Sequence, residues 1–541
     1  MTSASRLGTP RALTIAAALA AVLLVAAAAF LLLGNDAPQR YSGEGVPYID
    51  IDGSTGYRLG AVEIDQTDFV SFPHALDDSG PSGGWYLVKG NIFLTAPLAV
   101  SGDVRLIMGS GATLTVTGAD NSIAVASGSL SVYAQPKGAM GRVVVTGGCG
   151  VELSAGTSLV NTASIASTLP GGCGAHAYGT ASITNGATGV IRGGSEGIWL
   201  DAGGTVDNLG TVSATEAFAS GIDSHAYAEV SNAGRIQSSY SGVSLRAGGT
   251  VDNSGTITGA EHGIETGGAA VTINNLGAGV IEGNSQGIYI GAGGVVDNSG
   301  TIRCKDPYCD GVYAAAAAEV INSGVIQGTW GGVCLNEGGA VTNCGTLTGI
   351  QGNGISAYRG AAAVFNTGLV HGGASGISLE AGGDIDNFGT VAADGNGNAI
   401  GAASGAAPVT LRNAGTIKGG VTLPDAANAV TFTAGSRVEG RFDIGGDTGS
   451  TLTFDGTLEP SLLYSVVTGG ADLGNARVYI DGTGLPLSLT GGVDIVLIDA
   501  SPGSVTAPAN SEVSAGAYTF SLVVEGKKLV AKAPPNRISP R

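Results

Sequence analysis

The phrase Val-x-Asn-x-Gly-x-(Ile/Val), followed after a few small residues by Gly-(Ile/Val), recurs from about residue 158 to 420. Val206-Asp207-Asn208-Leu209-Gly210, Val251-Asp252-Asn253-Ser254-Gly255 and Val296-Asp297-Asn298-Ser299-Gly300 are three copies. The asparagines fall at Asn161, Asn185, Asn208, Asn232, Asn253, Asn275, Asn298, Asn322, Asn343, Asn366, Asn387 and Asn413, spaced by 21 to 26 residues. Within the series, Asn208, Asn253, Asn298, Asn343 and Asn387 lie 45, 45, 45 and 44 residues apart. These alternate copies share a preceding Gly-Gly, as at Gly203-Gly204 and Gly248-Gly249, which implies a duplicated two-coil unit. A period of roughly 20–50 residues confines a chain to a solenoid, propeller or array.

The stretches between turns are short, isoleucine and valine dominate their inward positions, and helical periodicity is missing. A coil of about 22 residues with three short strands predicts an all-β, single-chain parallel β-helix solenoid. Glycine, 94 of 541 residues, is expected together with asparagine to supply left-handed backbone at the turns. Stacked coils would set each asparagine about 4.8 Å above the last, where side-chain amides bond along the column. The predicted role of Asn208, Asn232, Asn253, Asn275, Asn298, Asn322, Asn343, Asn366 and Asn387 is therefore a structural ladder.

Arg6 and Arg11 precede an uncharged apolar run from Ala12 to Leu33. As a helix, that run reaches the roughly 20 residues that span a bilayer. Ala26-Ala27-Ala28 would also serve as a cleavage site after a shorter core. Residues 1–40 are thus expected to be a hydrophobic helix acting as signal peptide or signal anchor, with the rest of the chain outside the cytoplasm. The remaining chain divides into an N-terminal β-rich cap and leading coils (41–147), β-helix repeats (148–445), a β-rich C-terminal section with a cap (446–533) and a tail (534–541).

The Val-x-Asn-x-Gly-x-Ile units resemble the β-helical passenger region of bacterial autotransporters and related adhesin-like surface proteins. The resemblance covers about half the chain and implies a right-handed helix. Val493-Asp494-Ile495-Val496-Leu497-Ile498-Asp499 reads as a strand, and Ala517–Leu522 and Lys528–Ala531 flank Glu525-Gly526 as a hairpin. That part looks like the autochaperone-like cap that ends such passengers. A transmembrane barrel follows in the family, but here the sequence stops within ten residues, so a different export route is expected. In the N-terminal section, the strand-like Trp85–Val88, Val104–Ile107, Ile123–Val125 and Leu130–Gln135 are similar to the leading coils of β-helical surface proteins of Gram-positive bacteria. Their expected task is to start the helix and cap it, because bare solenoid ends invite association.

The six cysteines are an even count in a chain expected to be exported, which favours disulfides. Cys149 and Cys173, one coil apart, are predicted to pair; Cys304 and Cys309 are predicted to close the turn between them; Cys334 and Cys344 pair by default. Zinc is disfavoured, because no Cys-x-x-Cys pair or nearby histidine supports it. Lysine and arginine number 24 against 43 aspartates and glutamates, a net charge of -19, which argues against nucleic acid and anionic membrane surfaces as partners.

Chemistry-bearing residues are sparse. Asp207, Asp252, Asp297 and Asp386 share one column on alternate coils, about 10 Å apart, too far to share a calcium ion. Basic residues, Arg192, Arg235, Arg246, Arg303, Arg359 and Arg412, look scattered. Of His74, His176, His225, His262 and His371, the His176-Ala177-Tyr178 and His225-Ala226-Tyr227 pair reads as a repeat echo. Asp223-Ser224-His225 has the residue types of a triad, but neighbours on a strand face opposite ways. Glu216, Asp223, Glu229, Glu261 and Glu265 lie on neighbouring coils and leave open a hydrolytic carboxylate pair. Trp199, Tyr289 and Tyr313 occupy one repeat position, where an outward column would stack on sugar rings; Ser244, Glu265, Cys334 and Ser356 interrupt it.

The expected function is that of an exported, cell-surface or secreted, non-enzymatic adhesin-like rod binding a glycan or host-surface ligand. It would need no cofactor and touch membrane only through residues 1–40. The alternatives are a β-helical polysaccharide lyase or glycoside hydrolase, and a purely structural stalk.

Overall fold

The computed structural model describes residues 45–69, 74–80, 83–395, 397–455, 465–481, 494–515 and 518–533. The expected signal or anchor segment, 1–40, and the tail, 534–541, lie outside the described residues. Among the described residues, no helix is long and apolar enough to cross a membrane. The only helical element there is the 3-10 turn Gln66–Phe69. The chain divides into two compact units after Ala269, and each is a parallel β-solenoid.

One coil shows how the repeat folds. Glu196–Leu200 lies in sheet I, Gly204–Asn208 in sheet II and Thr211–Ala214 in sheet III, after which the chain returns to sheet I at Ser220–Ser224. Each strand pairs in parallel register with its counterpart one coil on: Ile198 with Ile222, Val206 with Val230, Val212 with Ile236. These side chains point inward and are 0–2% exposed, so the core is three columns of stacked β-branched residues. Branching at Cβ suits such a pleated, close-packed stack. In unit 1, parallel coiling begins where Val62–Ile64 pairs with Trp85–Val88. The hairpin of Val46–Ile49 and Thr55–Arg58 straps across the outside of sheet II. Its Tyr48 packs against Trp85 and Tyr133, and the Ile49 carbonyl accepts a bond from Thr162 Oγ1 at 2.8 Å.

The asparagines form a ladder within each unit. In unit 1, Asn161, Asn185, Asn208, Asn232 and Asn253 stand in register. Each Nδ2 donates to the next Oδ1 at 2.7–2.9 Å. In unit 2, Asn275 through Asn298, Asn322, Asn343, Asn366, Asn387 and Asn413 do the same at 2.7–2.8 Å. All are buried to within 1%, and the spare amide hydrogen reaches turn carbonyls, as Asn208 reaches Gly210. The column ends at Asn413, beside Phe432 of the next coil, and Asn413 Nδ2 has no acceptor.

One expectation about the turns is corrected. No ladder asparagine has a positive φ; among the described non-glycine residues only Asp120, Phe218 and Tyr308 do. The asparagine satisfies the turn with its side chain, so its backbone need not turn left-handed. The left-handed positions belong to glycine. Gly204 (φ 133°) alternates in register with Ala181 and Ala228, and a Cβ there would meet the Ala181 carbonyl oxygen at 2.1 Å. That contact explains why Gly-Gly marks every second coil.

Near the C-terminus the aliphatic columns give way to packed aromatics, with Phe432 5.2 Å from Phe442 and 6.2 Å from Phe454. Asp494–Asp499 then joins sheet III in parallel with Ser465–Val467 and antiparallel with Lys528–Lys532. Tyr518–Glu525 and Lys528–Lys532 form a hairpin turned at Gly526.

Disulfides join Cys149 to Cys173 (Cα–Cα 4.6 Å) and Cys304 to Cys309 (6.1 Å). The default pair is corrected: Cys334 and Cys344 are both free, the first buried and the second exposed. They share a coil but not a face. Cys334 lies on sheet I beside Tyr313 and Ser356, whereas Cys344 sits on the corner after the sheet II strand Gly339–Asn343. A disulfide needs Cα atoms within about 7 Å, and the coil interior lies between them.

Candidate functional site

The outward face of sheet I in unit 1 collects the chemistry. Ala175–Ala177, Glu196–Leu200, Ser220–Ser224, Ser241–Leu245 and His262–Thr266 are its strands. Because Ile198, Ile222, Val243 and Ile264 must face the core, the next residue in each strand is turned out. In register this gives one column of His176, Trp199, Asp223, Ser244 and Glu265. Two residues on, at the strand ends, Asp201, His225 and Arg246 form a second column.

The two columns interlock as a row of alternating charge types. His176 Nε2 lies 3.0 Å from Asp201 Oδ2, and His225 Nδ1 lies 3.9 Å from Asp201 Oδ1. His225 Nε2 is 3.5 Å from Asp223 Oδ2. Arg246 then grips Asp223 with two bonds, Nε to Oδ1 at 3.0 Å and Nη2 to Oδ2 at 2.6 Å. That fork holds Asp223, itself buried, and pushes the Arg246 guanidinium further above its usual range. His176 and His225 are not an echo in space. His176 stands in the Asp223 column and His225 in the Asp201 column, because the two coils place the His-Ala-Tyr phrase two residues out of phase. Asp223 and His225 do converge, while Ser224 points inward and donates to the Ala226 carbonyl.

Two carboxyls on this face are shifted upward. Burial pushes Glu196 up, with the neighbouring Asp223 charge adding to it and Ser195, Arg246 and His176 opposing it. Its Oε2 is buried without a hydrogen-bond partner. Burial likewise raises Glu152, which sits in register beside His176. Of the carboxylates singled out in the sequence, Asp223 and Glu265 line one cleft, and Glu261 lies on the loop beside Tyr240. Glu229 lies on sheet II, and the Gly171 amide, on the loop at the same corner two coils earlier, donates to both Glu216 carboxylate oxygens at 3.1 Å. Asp223 and Glu265 share a column with Ser244 between them, about two strand spacings apart, and Glu265 accepts from Ser241 Oγ at 2.7 Å. Similarly, Ser231 separates Asp207 from Asp252 on sheet II.

Trp199 is filled from both sides. His176 stacks on it at 4.7 Å and 12°, and His225 meets it edge-on at 5.6 Å. Its indole Nε1 is buried without an acceptor. A second aromatic pair is Phe218 and Tyr240, 6.0 Å apart, with His262 edge-on to Tyr240 at 6.0 Å. Phe218 is 82% exposed in left-handed backbone (φ 63°), a costly conformation for a bulky residue. Together they rim an open cleft of about 490 Å³ whose floor holds Glu196, Asp223, Ser244, Arg246 and Glu265. Sequence reasoning missed Glu152, Glu196, Asp201, Phe218 and Tyr240. Phe218 and Tyr240 each stand shortly before a sheet I strand, and that shared position was the available signal.

Among the described residues one group has metal-ligand geometry, Cys149, Cys173 and His176, with ligand atoms within 4.8 Å, but both sulfurs are spent in the disulfide. Comparison with models of known families, with curated proteins and with solved structures finds no match.

Proposed function

We propose that this is an exported, adhesin-like solenoid that binds glycan, without cleaving it, on the outward face of sheet I. The observation that carries the proposal is the cleft between Phe218 and Tyr240 over the Asp223–Arg246 pair. Pyranose rings present apolar C–H faces to aromatic rings and vicinal hydroxyls to carboxylates and guanidinium groups, and this cleft offers both surfaces. Rigid strands hold the polar groups, so little ordering is needed on binding. Two disulfides support an extracytoplasmic setting. The autotransporter-passenger resemblance, with its cell-surface role, belongs to this proposal.

One observation favours a glycan-cleaving reading. Glu196, pushed up by burial, sits one coil from Asp223, which Arg246 keeps paired, and two carboxyls in unlike surroundings on one cleft are the residue types a glycosidase uses. The test is to incubate the full chain with a polysaccharide panel, with and without calcium, measuring both retention and new reducing or unsaturated ends. Retention that falls about tenfold in Phe218→Gly, with no new ends, supports the binding reading. New ends that vanish in Glu196→Gln would replace it with the enzyme.

A further inference from the structure

Unit 2 repeats the residue positions of this face with different chemistry. Positions 90 residues apart correspond: Phe218 with Tyr308, Tyr240 with Trp330, Glu196 with Gln286, Trp199 with Tyr289, Ser220 with Asp310, Asp223 with Tyr313, Ser244 with Cys334 and Arg246 with Asn336. The geometry repeats as well. Tyr308 is 73% exposed in left-handed backbone (φ 68°), like Phe218, and its ring lies 5.5 Å from Trp330. The two left-handed aromatics are thus a duplicated feature.

The rim in unit 2 is more firmly held. The Cys304–Cys309 disulfide brackets Tyr308. The Trp330 amide donates to the Cys309 carbonyl at 2.9 Å, and Thr329 Oγ1 accepts from the Cys309 amide at 3.3 Å. Trp330 leans on Gly352 of the next coil, where a Cβ would come within 3.1 Å of the indole. One face of the indole is thereby backed by main chain, and the ring is 39% exposed. The floor has lost the ion pair. Tyr313 replaces Asp223 and stacks on Tyr289 at 5.5 Å and 14°, while Asn336 replaces Arg246. Asp310 is the one carboxyl among these eight positions, buried and bonded to the Gly331 amide. Arg303 and Lys305, on the chain leading to the rim, both engage Glu282.

We propose that unit 2 carries a second saccharide site, specific for neutral oligosaccharides, with Tyr308 and Trp330 as its stacking platform and Asn336 and Tyr313 as its polar floor. It rests on the reading that the outward face of sheet I binds glycan. The chemistry sets the class: the eight positions hold no cation, Arg359 beside Tyr313 is paired with Glu337 at 3.5 Å, and the net charge of -19 repels a uronate. An uncharged pyranose needs only aromatic faces and neutral hydrogen-bonding groups.

The test titrates the full chain with hexasaccharides of mannan, β-glucan and galactan, and with a hyaluronan hexasaccharide, by calorimetry and tryptophan fluorescence. The variants are Tyr308→Gly, Trp330→Ala, Trp330→Phe and Phe218→Gly. Tyr308→Gly removes the ring and relieves the left-handed backbone, so loss of binding there is not loss of folding. The expected result is that a neutral hexasaccharide binds, that Tyr308→Gly and Trp330→Ala weaken it about tenfold or more, and that Trp330→Phe stays within about threefold of the native chain. If Phe218→Gly alone removes neutral binding, the second site is overturned and the unit 1 cleft stands. Hyaluronan competing equally for the Tyr308–Trp330 site overturns its neutral specificity. No binding of any saccharide by the native chain overturns both the second site and the reading it rests on.

Discussion

At the scale of single residues, the ladder shows how buried amides are tolerated in an aliphatic core. Each asparagine satisfies the one above, so removing a middle member orphans two neighbours while removing the last orphans one. Asn298→Ala leaves Asn275 Nδ2 and Asn322 Oδ1 without their partners and is expected to cost about 2–4 kcal/mol. Asn413→Ala should cost distinctly less, because its Nδ2 has no acceptor to lose. Denaturant midpoints of the two variants, compared side by side, check the order. Asp310 gives a pH dependence of known sign. Burial raises its carboxyl from 3.8 to about 7, so the native state prefers the neutral acid. That contribution is full below pH about 4 and is lost as pH rises through about 7, a loss of at most roughly 4 kcal/mol. Asp310→Asn should therefore melt higher than the native chain at pH 8 and no higher at pH 4; a constant difference across that range would refute the assignment.

At the scale of strands and turns, the face a residue occupies decides its chemistry more than its neighbours in sequence. Cys334 and Cys344 are ten residues apart yet lie on different faces. Burial, with the Asp310 and Glu380 charges adding, pushes the Cys334 thiol up to about 12, while Cys344 is exposed. A thiol reagent at pH 8 is expected to label one cysteine in the native chain, at Cys344, and a second only on unfolding, as mapped by mass spectrometry of the tryptic peptides. No label in either state would restore the disulfide between them. The same logic explains His176 and His225, whose matching tripeptides fall in different columns because the turns between coils differ in length.

At the scale of the whole molecule, stability in a solenoid comes from each coil against the next, and the exposed edge at the end is the hazard. In unit 2 the last parallel strand of sheet III is covered by an antiparallel hairpin whose Leu529 and Phe520 are fully buried. Leu529→Asp places a charge in that contact and is expected to free the hairpin, giving concentration-dependent association in sedimentation velocity while the far-ultraviolet spectrum stays β-rich. Association at the native level would mean that the hairpin is not what guards the edge. The acidic surface works in the same direction as the cap, since like charge keeps copies apart.

The sequence alone determined the parallel β-helix, its coil length, its asparagine ladder and its two-coil period. These follow from a pattern repeated a dozen times, in which a buried column at one strand spacing demands the same residue type at every coil. The disulfides at Cys149–Cys173 and Cys304–Cys309 were legible for the same reason, because one-coil and one-turn separations fix the distance between backbones. Only the tertiary structure decided the outward face. Arg246 looked scattered until the register set it on Asp223, Trp199 looked like a free ring until His176 covered it, and Phe218 and Tyr308 gave no sign of their left-handed backbone. Outward residues are not held to the repeat by packing, so each coil varies them freely, and the site they form exists only once stacking has brought residues 20 to 25 apart into adjacent rows.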